Sequence, residues 1–125
     1  MKKLFYLSIV GVSAVGLAMA GCGRNKVQAD ATQPLAQSFA TAEPEVQKAI
    51  EVVNTSLKAG NYVEATRALA PVVEQRVLTA PQKEAVGIAL QQMNQAIAAD
   101  PSLDTKEMYE MRAKMFQATR RGSRF

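Results

Sequence analysis

The side chains that most often carry catalysis or hold metals are scarce in this sequence. Its 125 residues include no His, no Trp and a single Cys, Cys22. Metal sites built on His, zinc sites built on several thiolates, and nucleophiles activated by His are therefore excluded, as is an intramolecular disulfide. Catalysis would have to rest on carboxylates, Lys, Tyr or Ser, but carboxylates such as Glu45, Glu74 and Glu84 lie singly and indicate a solvated face. We expect no enzyme activity, no cofactor and no bound metal.

Residues 1–21 have the order of a secretory signal peptide. Two lysines follow Met1, residues 4–20 carry no charge, and small residues close the segment. A positive flank, an apolar run and a small-residue exit are typical of a cleaved export signal. A retained transmembrane helix is the alternative, but this uncharged run lies at the short edge of the spanning range, and Gly11 and Gly16 weaken helix propensity. Cleavage is therefore the favoured prediction.

The end of this segment resembles the lipobox of bacterial lipoproteins. Its four residues read Met19-Ala20-Gly21-Cys22, with Met19 where that family usually has Leu. The resemblance implies cleavage between Gly21 and Cys22, after which Cys22 is the first mature residue and carries acyl chains such as palmitate. Ordinary signal cleavage after Ala20 is the alternative, and it would release a soluble protein with one exposed thiol. We expect lipidation, because the alternative leaves the lone cysteine unexplained.

Gly23 bears on which membrane would hold the protein. In enteric-type lipoproteins, a residue other than Asp after the cysteine implies sorting to the outer membrane. The resemblance therefore implies a lipid-anchored protein of the bacterial cell envelope, on the outer membrane and facing the periplasm. This sorting rule varies between bacterial groups, so the membrane and the leaflet stay open.

The charges are distributed unevenly along the chain. Residues 43–110 contain six basic and ten acidic residues, whereas residues 111–125 contain five basic residues and no acidic one. An exported protein with an acidic body is not expected to bind nucleic acid. The basic tail, residues 120–125, is predicted either to contact phosphate, lipid headgroups or an acidic partner, or to complement the dipole of the preceding helix as a frayed terminus.

Residues 22–42 are predicted to form a flexible tether between lipid and domain. The segment is rich in Gln, Ala, Thr and Ser and has no sustained hydrophobic period, so it cannot bury enough surface to offset the entropy of ordering. A flexible chain of this length spans roughly 25 Å. Leu35 and Phe39 suggest the alternative, because their i, i+4 spacing would let one helical turn dock on the domain.

Residues 43–119 have a hydrophobic period of 3.6 and predict an all-α domain of about four helices. No window has the alternation of a strand. The predicted stripes are, in chain order, Val46-Ile50-Val53-Leu57, Tyr62-Ala65-Leu69-Val72-Val73, Val86-Leu90-Met93-Ile97 and Met108-Met111-Met115. Because the loops are short, we expect helices adjacent in sequence to pack as antiparallel hairpins.

The ends of these helices are predicted from their start and stop signals. Pro44 suits a first turn and Gly60 the residue just past a helix end. Three further starts are predicted from capping pairs: Asn61 with Glu64, Thr79 with Gln82, and Asp104 with Glu107. Pro71 should kink or shorten the second helix, because it removes one backbone amide and clashes with the preceding turn.

The turn between the first two predicted helices resembles the centre of a tetratricopeptide repeat. Residues 57–69 place Gly60, Tyr62 and Ala65 as that family does, where two backbones approach closely, and residues 89–101 resemble the close of such a repeat. The chain departs from the pattern, since it lacks the large aromatic early in the first helix and a second Gly-x-Tyr turn about 34 residues later. An unrelated helical hairpin is the alternative, with the same architecture.

The last helix is the candidate partner surface. Its three methionines form either core or an adaptable interface. A terminal helix has no following neighbour to cover its outer side, and Tyr109, Arg112 and Phe116 at i, i+3 and i+7 widen its apolar arc beyond what one facing helix buries. The predicted partner-binding residues are Met108, Tyr109, Arg112, Phe116, Arg120 and Arg121.

These features together predict a membrane-anchored, non-enzymatic scaffold or adaptor for a complex of envelope proteins. Small tetratricopeptide-like lipoproteins resemble assembly factors and pilotins, which help to build outer-membrane complexes. Two alternatives stay open: an accessory subunit or carboxylate-dependent enzyme of the envelope, and a structural lipoprotein that self-associates with the methionine face as its seam. The oligomeric state and the identity of the partner are not indicated by the sequence.

Overall fold

A computed structural model of the protein describes residues 27–121. The predicted signal peptide, the cleavage site at Gly21 and Cys22, and the last four residues of the tail lie outside the described residues. Within residues 27–121 there is no strand, so the predicted all-α class is confirmed. The helices are α1 (Thr32–Ser38), α2 (Pro44–Ala59), α3 (Tyr62–Glu74), α4 (Ala80–Ala99) and α5 (Lys106–Arg120), with a 3-10 turn at Pro101–Leu103.

Four of these helices are the predicted ones, and three of their boundaries have the predicted chemistry. α2 begins at Pro44 and is followed by Gly60, whose φ of 80° is the left-handed conformation that glycine adopts most readily. At the start of α4, the Thr79 hydroxyl accepts from the Gln82 backbone N–H at 3.3 Å, and the Gln82 side chain accepts from the Thr79 N–H at 3.0 Å. The predicted capping box is therefore confirmed.

The other two predicted capping pairs are wrong, because the carboxylates have stronger partners. Asn61 makes no side-chain cap bond at the start of α3, since Glu64 pairs with Arg67 at 3.0 Å instead. At the start of α5 the cap is Thr105, whose hydroxyl accepts from the Met108 N–H at 3.2 Å. A carboxylate forms a stronger hydrogen bond with an arginine than with one neutral backbone amide at a helix start, so the ion pair forms in place of the cap.

Pro71 does not shorten α3, because the helix continues past it to Glu74.

The helices close into a ring in which α1 packs on α2 and α4, α2 on α3, α3 on α5, and α5 on α4. The predicted hairpins α2–α3 and α4–α5 are therefore present. α3 and α4, although consecutive, are not packed neighbours as predicted; they meet across the core, where the Thr66 hydroxyl donates to the Met93 sulfur at 3.1 Å. The ring closes because α5 inserts beside α3, parallel to it.

The bundle has two ends, which differ in the connections that they contain. The strap end is named for residues 27–31, the strap, whose first residue lies beside Leu57, Lys58 and Tyr62. It contains the α2–α3 turn (residues 59–61) and the α4–α5 connection (residues 100–105). The far end contains residues 39–43 and the α3–α4 connection (residues 75–79), and there Arg76 pairs with Glu43 at 3.1 Å. Along the α3–α5 contact, Arg67 meets Glu107 and Glu74 meets Lys114, so both helices run from the strap end to the far end.

The core lies where α3 and α4 face each other, and it includes α1. The largest fully buried side chains are Phe39, Leu35, Leu69, Met93, Met108, Met115, Val53, Val73, Val86 and Thr66. Leu90, at the edge of the core, is 9% exposed. Met108 and Met115 are therefore core residues, whereas Met111 is half-buried.

Residues 27–42 are not a flexible tether, and the prediction of one is wrong over this part of residues 22–42. α1 lies against α2 and α4, and it buries both Leu35 and Phe39. The docked turn, which was the alternative, is what the structure contains. These two apolar side chains are enough to order the segment because they pack between α2 and α4. The composition of the segment itself does not indicate such a contact.

Candidate functional site: the groove between α4 and α5

An open groove lies on the outer side of the bundle between α4 and α5. It has a volume of about 290 Å³, and its lining residues are Leu90, Asn94, Tyr109, Arg112, Ala113 and Phe116. The two helices run antiparallel, because the connection between them is a short turn at Pro101–Leu103. α5 packs on α3 and α4 with its inner side, and no described helix covers the groove.

The groove displays two large aromatic side chains to solvent. Tyr109 is 64% exposed and Phe116 is 52% exposed. They lie seven residues apart on one face of α5, which places them about 10 Å apart along the helix axis. Only two other large hydrophobic residues within 27–121, Val52 and Val77, are as exposed, and neither lines the groove. Both exposed aromatic side chains of residues 27–121 therefore lie on this side of α5.

The facing side of α4 contributes one apolar and one polar residue to the floor of the groove, Leu90 and Asn94. Leu90 and Asn94 share this face at i and i+4, and Gly87 precedes them at i−3. A Cβ atom added at Gly87 would have nothing within 4 Å, so there is open space beyond Leu90 on this face of α4. Gly87 itself is exposed and is not among the residues that line the groove.

Arg112 spans the groove at its strap end. Its guanidinium donates to the Asn94 side-chain oxygen at 2.7 Å and lies 3.4 Å from an Asp104 carboxylate oxygen. The Arg112 Nε is buried and has no partner among the described residues. This side chain braces α5 against α4 and keeps positive charge beside Tyr109.

At the far end of the groove the charge is also positive. The Arg120 guanidinium lies 5.5 Å from the centre of the Phe116 ring, in a cation–π arrangement. The Lys83 ammonium donates to the Arg121 backbone carbonyl at 2.6 Å. The groove therefore has an apolar middle and a basic group at each end, and no carboxylate lines it.

The ionisable groups with shifted pKa values lie outside the groove. Two guanidinium hydrogen bonds from Arg67, each 2.9 Å long, lower the pKa of Glu107 and raise that of Arg67. Hydrogen bonds from Thr32 lower the pKa of Asp30. These carboxylates stay ionised in pairs that hold helices or turns together, which is a structural role. Across residues 27–121, no group of three or more acidic or cysteine side chains is arranged to hold a metal ion.

The structure separates the predicted partner-binding residues into three sets. Tyr109, Arg112 and Phe116 line the groove, and Arg120 lies against Phe116. Met108 is fully buried, so its prediction as a contact residue is wrong.

Arg121 lies at the far end, where its guanidinium donates to the Glu74 backbone carbonyl at 3.2 Å and thereby attaches the end of α5 to α3.

Sequence reasoning missed the α4 side of this groove. Leu90 was predicted as a core residue. It is largely buried, but its side chain also forms part of the groove floor. Asn94 was not singled out at all. The available signal was the line of small or polar residues Gly87, Gln91 and Asn94 on the exposed face of this helix, but it identifies a site only once α5 is known to pack alongside.

No protein-family model matches the chain, and neither a curated protein nor a solved structure is significantly similar to it. None of the helices within residues 27–121 has the length and apolar character needed to cross a bilayer.

Proposed function

We propose that this chain is a lipid-anchored lipoprotein of the bacterial cell envelope that acts as a non-enzymatic adaptor. Cys22, acylated after signal cleavage, holds the domain on a membrane, and the α4–α5 groove binds a helix of another envelope protein. The lipobox-like residues 19–22 support the anchor. The observation that carries the adaptor role is the groove itself, in which Tyr109 and Phe116 stand exposed on a face that no described helix covers.

A helix is the partner element that this geometry fits. Two antiparallel helices with a shallow apolar floor offer the surface into which an amphipathic helix lays its apolar side. Exposed aromatic residues near the centre of such a surface commonly supply most of the binding free energy. Tyr109 and Phe116, with Leu90 between them on the floor, form this central set.

The partner helix should carry acidic residues beside its apolar side. Arg112 and Arg120 lie eight residues apart on α5, which is about 12 Å along the helix axis. Carboxylates about two turns apart on the partner would meet these two arginines, one of them joining Asp104 at Arg112, and such complementary charges select the partner and speed its association. The absence of a carboxylate among the residues that line the groove favours an acidic partner over a basic one.

The two alternative functions receive less support. A carboxylate-dependent enzyme would need converging acidic side chains in a pocket, and the groove is lined by none. Self-association through a methionine seam would need exposed methionines, and Met108 and Met115 are fully buried in the core. The residue after the proposed acylated cysteine is Gly23 and not Asp, which is compatible with sorting to the outer membrane, facing the periplasm.

The experiment that tests the groove compares two exposed apolar residues. Phe116→Ser and Val77→Ser each remove a large exposed side chain, the first inside the groove and the second 78% exposed in the α3–α4 connection. Cells that express each variant are crosslinked, the lipoprotein is purified from the membrane, and the partner is identified by mass spectrometry. We expect Phe116→Ser to lose the partner that wild type and Val77→Ser both capture.

A melting temperature measured on each purified variant separates binding from folding. Loss of partner with an unchanged melting temperature supports the groove as the binding site. Equal capture by both variants would contradict it, as would a large fall in melting temperature for Phe116→Ser, because that would make Phe116 a residue of the core.

A further inference from the structure

The chain approaches the domain along a strap, residues 27–31, that is bound to α4. Two glutamines on one face of α4, at i and i+3, hold it. The Gln95 side-chain oxygen accepts from the backbone N–H groups of Gln28 and Ala29, at 2.7 and 2.8 Å. The Gln92 side-chain oxygen accepts from the Ala31 N–H at 2.9 Å, and both Gln92 and Ala31 are buried.

The strap continues without a break into packed structure. The Asp30 carboxylate accepts from the backbone N–H and the hydroxyl of Thr32, at 3.0 and 2.7 Å. From α2, the Asn54 side chain donates to the Thr32 carbonyl at 2.9 Å. The next residues form α1, which is held by the burial of Leu35 and Phe39. To release the strap, the chain would have to lose these bonds together.

The strap reaches the domain at one particular end. The shallow pocket beside Val27 is lined by Leu57 and Lys58 from the end of α2 and by Tyr62 from the start of α3. These residues flank the α2–α3 turn, which belongs to the strap end. α4 contains 20 residues and spans about 30 Å at 1.5 Å per residue, so the far end of the bundle is about that distance away.

The number of residues between Cys22 and the strap sets a limit on reach. Val27 follows Cys22 by five positions, and five residues extend at most about 18 Å. A free tether from Cys22 to residue 43 would instead reach about 70 Å when fully extended. An anchor on Cys22 must therefore hold the strap end close to the lipid, whatever path residues 23–26 take.

We propose that the strap orients the domain on the lipid surface, with the strap end against the headgroups and the far end about 30 Å further out. This inference rests on the proposed acylation of Cys22. The groove then runs outward from the membrane, with Tyr109 and Arg112 nearer the lipid and Phe116 and Arg120 farther from it. The axis of a partner helix that fills the groove is then roughly perpendicular to the membrane plane, and the helix lies outside the lipid headgroups.

This orientation comes from the short chain connection between Cys22 and the strap, and not from surface charge. The strap end carries both signs, with Lys58 and Lys106 near Asp30, Asp100 and Asp104. A surface with this mixture is not drawn to anionic lipid in a preferred direction, because surface potential attracts clusters of basic residues. The orientation should therefore persist in neutral vesicles.

Energy transfer from the protein to lipid headgroups measures the orientation. The single native Cys is the proposed acylation site, so one engineered cysteine can be labelled selectively. Ala59→Cys places a donor dye at the strap end and Gln75→Cys places it at the far end, both at exposed positions. The acylated full chain is reconstituted in phosphatidylcholine vesicles that contain an acceptor-labelled headgroup. We expect transfer from position 59 to exceed transfer from position 75 several-fold.

The control is an insertion of about 16 Gly and Ser residues between Lys26 and Val27, which restores a flexible tether with a span of roughly 22 Å. In this variant the two positions should give nearly equal transfer. Equal transfer from both positions in the chain without the insertion would overturn the proposed orientation. Intact mass of the same preparation separates the two proposals: if Cys22 carries no acyl mass, the proposed anchor fails and the orientation with it. If Cys22 is acylated and the transfer is equal, the orientation alone fails.

Discussion

Replacing Phe39 by alanine tests whether α1 belongs to the folded domain. Phe39 is 1% exposed and is the largest fully buried side chain of the described residues. Truncating a buried Phe to Ala removes its transfer free energy and leaves a cavity, for a loss of about 3–5 kcal/mol. A domain of this size has a total stability of about 5–15 kcal/mol, so the loss is a large share of it.

The magnitude translates into a thermal shift that is simple to measure. For a domain of 60–100 residues, 1 kcal/mol corresponds to about 4–8 °C in melting temperature, so Phe39→Ala should melt at least about 12 °C below wild type. Thermal and urea unfolding followed by circular dichroism give the difference. Gln37→Ala is the matched control, because Gln37 lies in α1 two residues before Phe39 and is exposed. A change below about 0.5 kcal/mol for Phe39→Ala, as for a surface site, would refute the docking of α1.

Three further substitutions test the packing, a cap and an ion pair. Leu90→Ala should cost about 2–5 kcal/mol in urea unfolding, because the side chain is 9% exposed, and a loss under about 0.5 kcal/mol would place it on the surface. Thr79→Ala should cost about 1 kcal/mol by removing the hydroxyl that caps α4, whereas Thr79→Ser should retain most of the stability; equal losses would mean that the cap does not form. Glu107→Gln should lower stability at neutral pH but not in acid. Arg67 lowers the pKa of Glu107 in the folded state, so this carboxylate stabilises the fold above its unfolded pKa and loses that effect as the pH falls. The stability difference between wild type and Glu107→Gln should therefore close as the pH falls from above the unfolded pKa of this carboxyl to below its lowered folded pKa, and a difference that does not vary with pH would contradict the ion pair.

The helices that were predicted from the sequence are those whose signals are local. The stripe from Val46 to Leu57 and the Thr79–Gln82 capping box involve residues within one helix or one turn, so period and propensity describe them fully. α1 was missed as a helix because its stability comes from elsewhere. The strap before it is bound by Gln92 and Gln95, more than 60 positions away in the sequence, and α1 itself is held by the burial of Leu35 and Phe39 against α2 and α4.

The candidate site was half predictable for the same reason. The exposed side of α5 follows from its own period, which places Tyr109, Arg112 and Phe116 in one line. Period alone does not say which of two adjacent lines faces the core, so Met108 was included among the candidate partner contacts although it is fully buried. The α4 side of the groove depends on which helices become neighbours. The helix neighbours follow from the packing of the whole bundle, in which α5 packs against both α3 and α4.

The measurement that most directly tests the account is the intact mass of the protein extracted from its membrane with detergent. The proposed lipoprotein predicts a chain that has lost residues 1–21 and gained acyl mass on Cys22, and a Cys22→Ser variant that is neither processed nor retained in the detergent phase. A chain that begins at Gly21 and carries a free thiol on Cys22 would contradict the proposed anchor and every inference that depends on it.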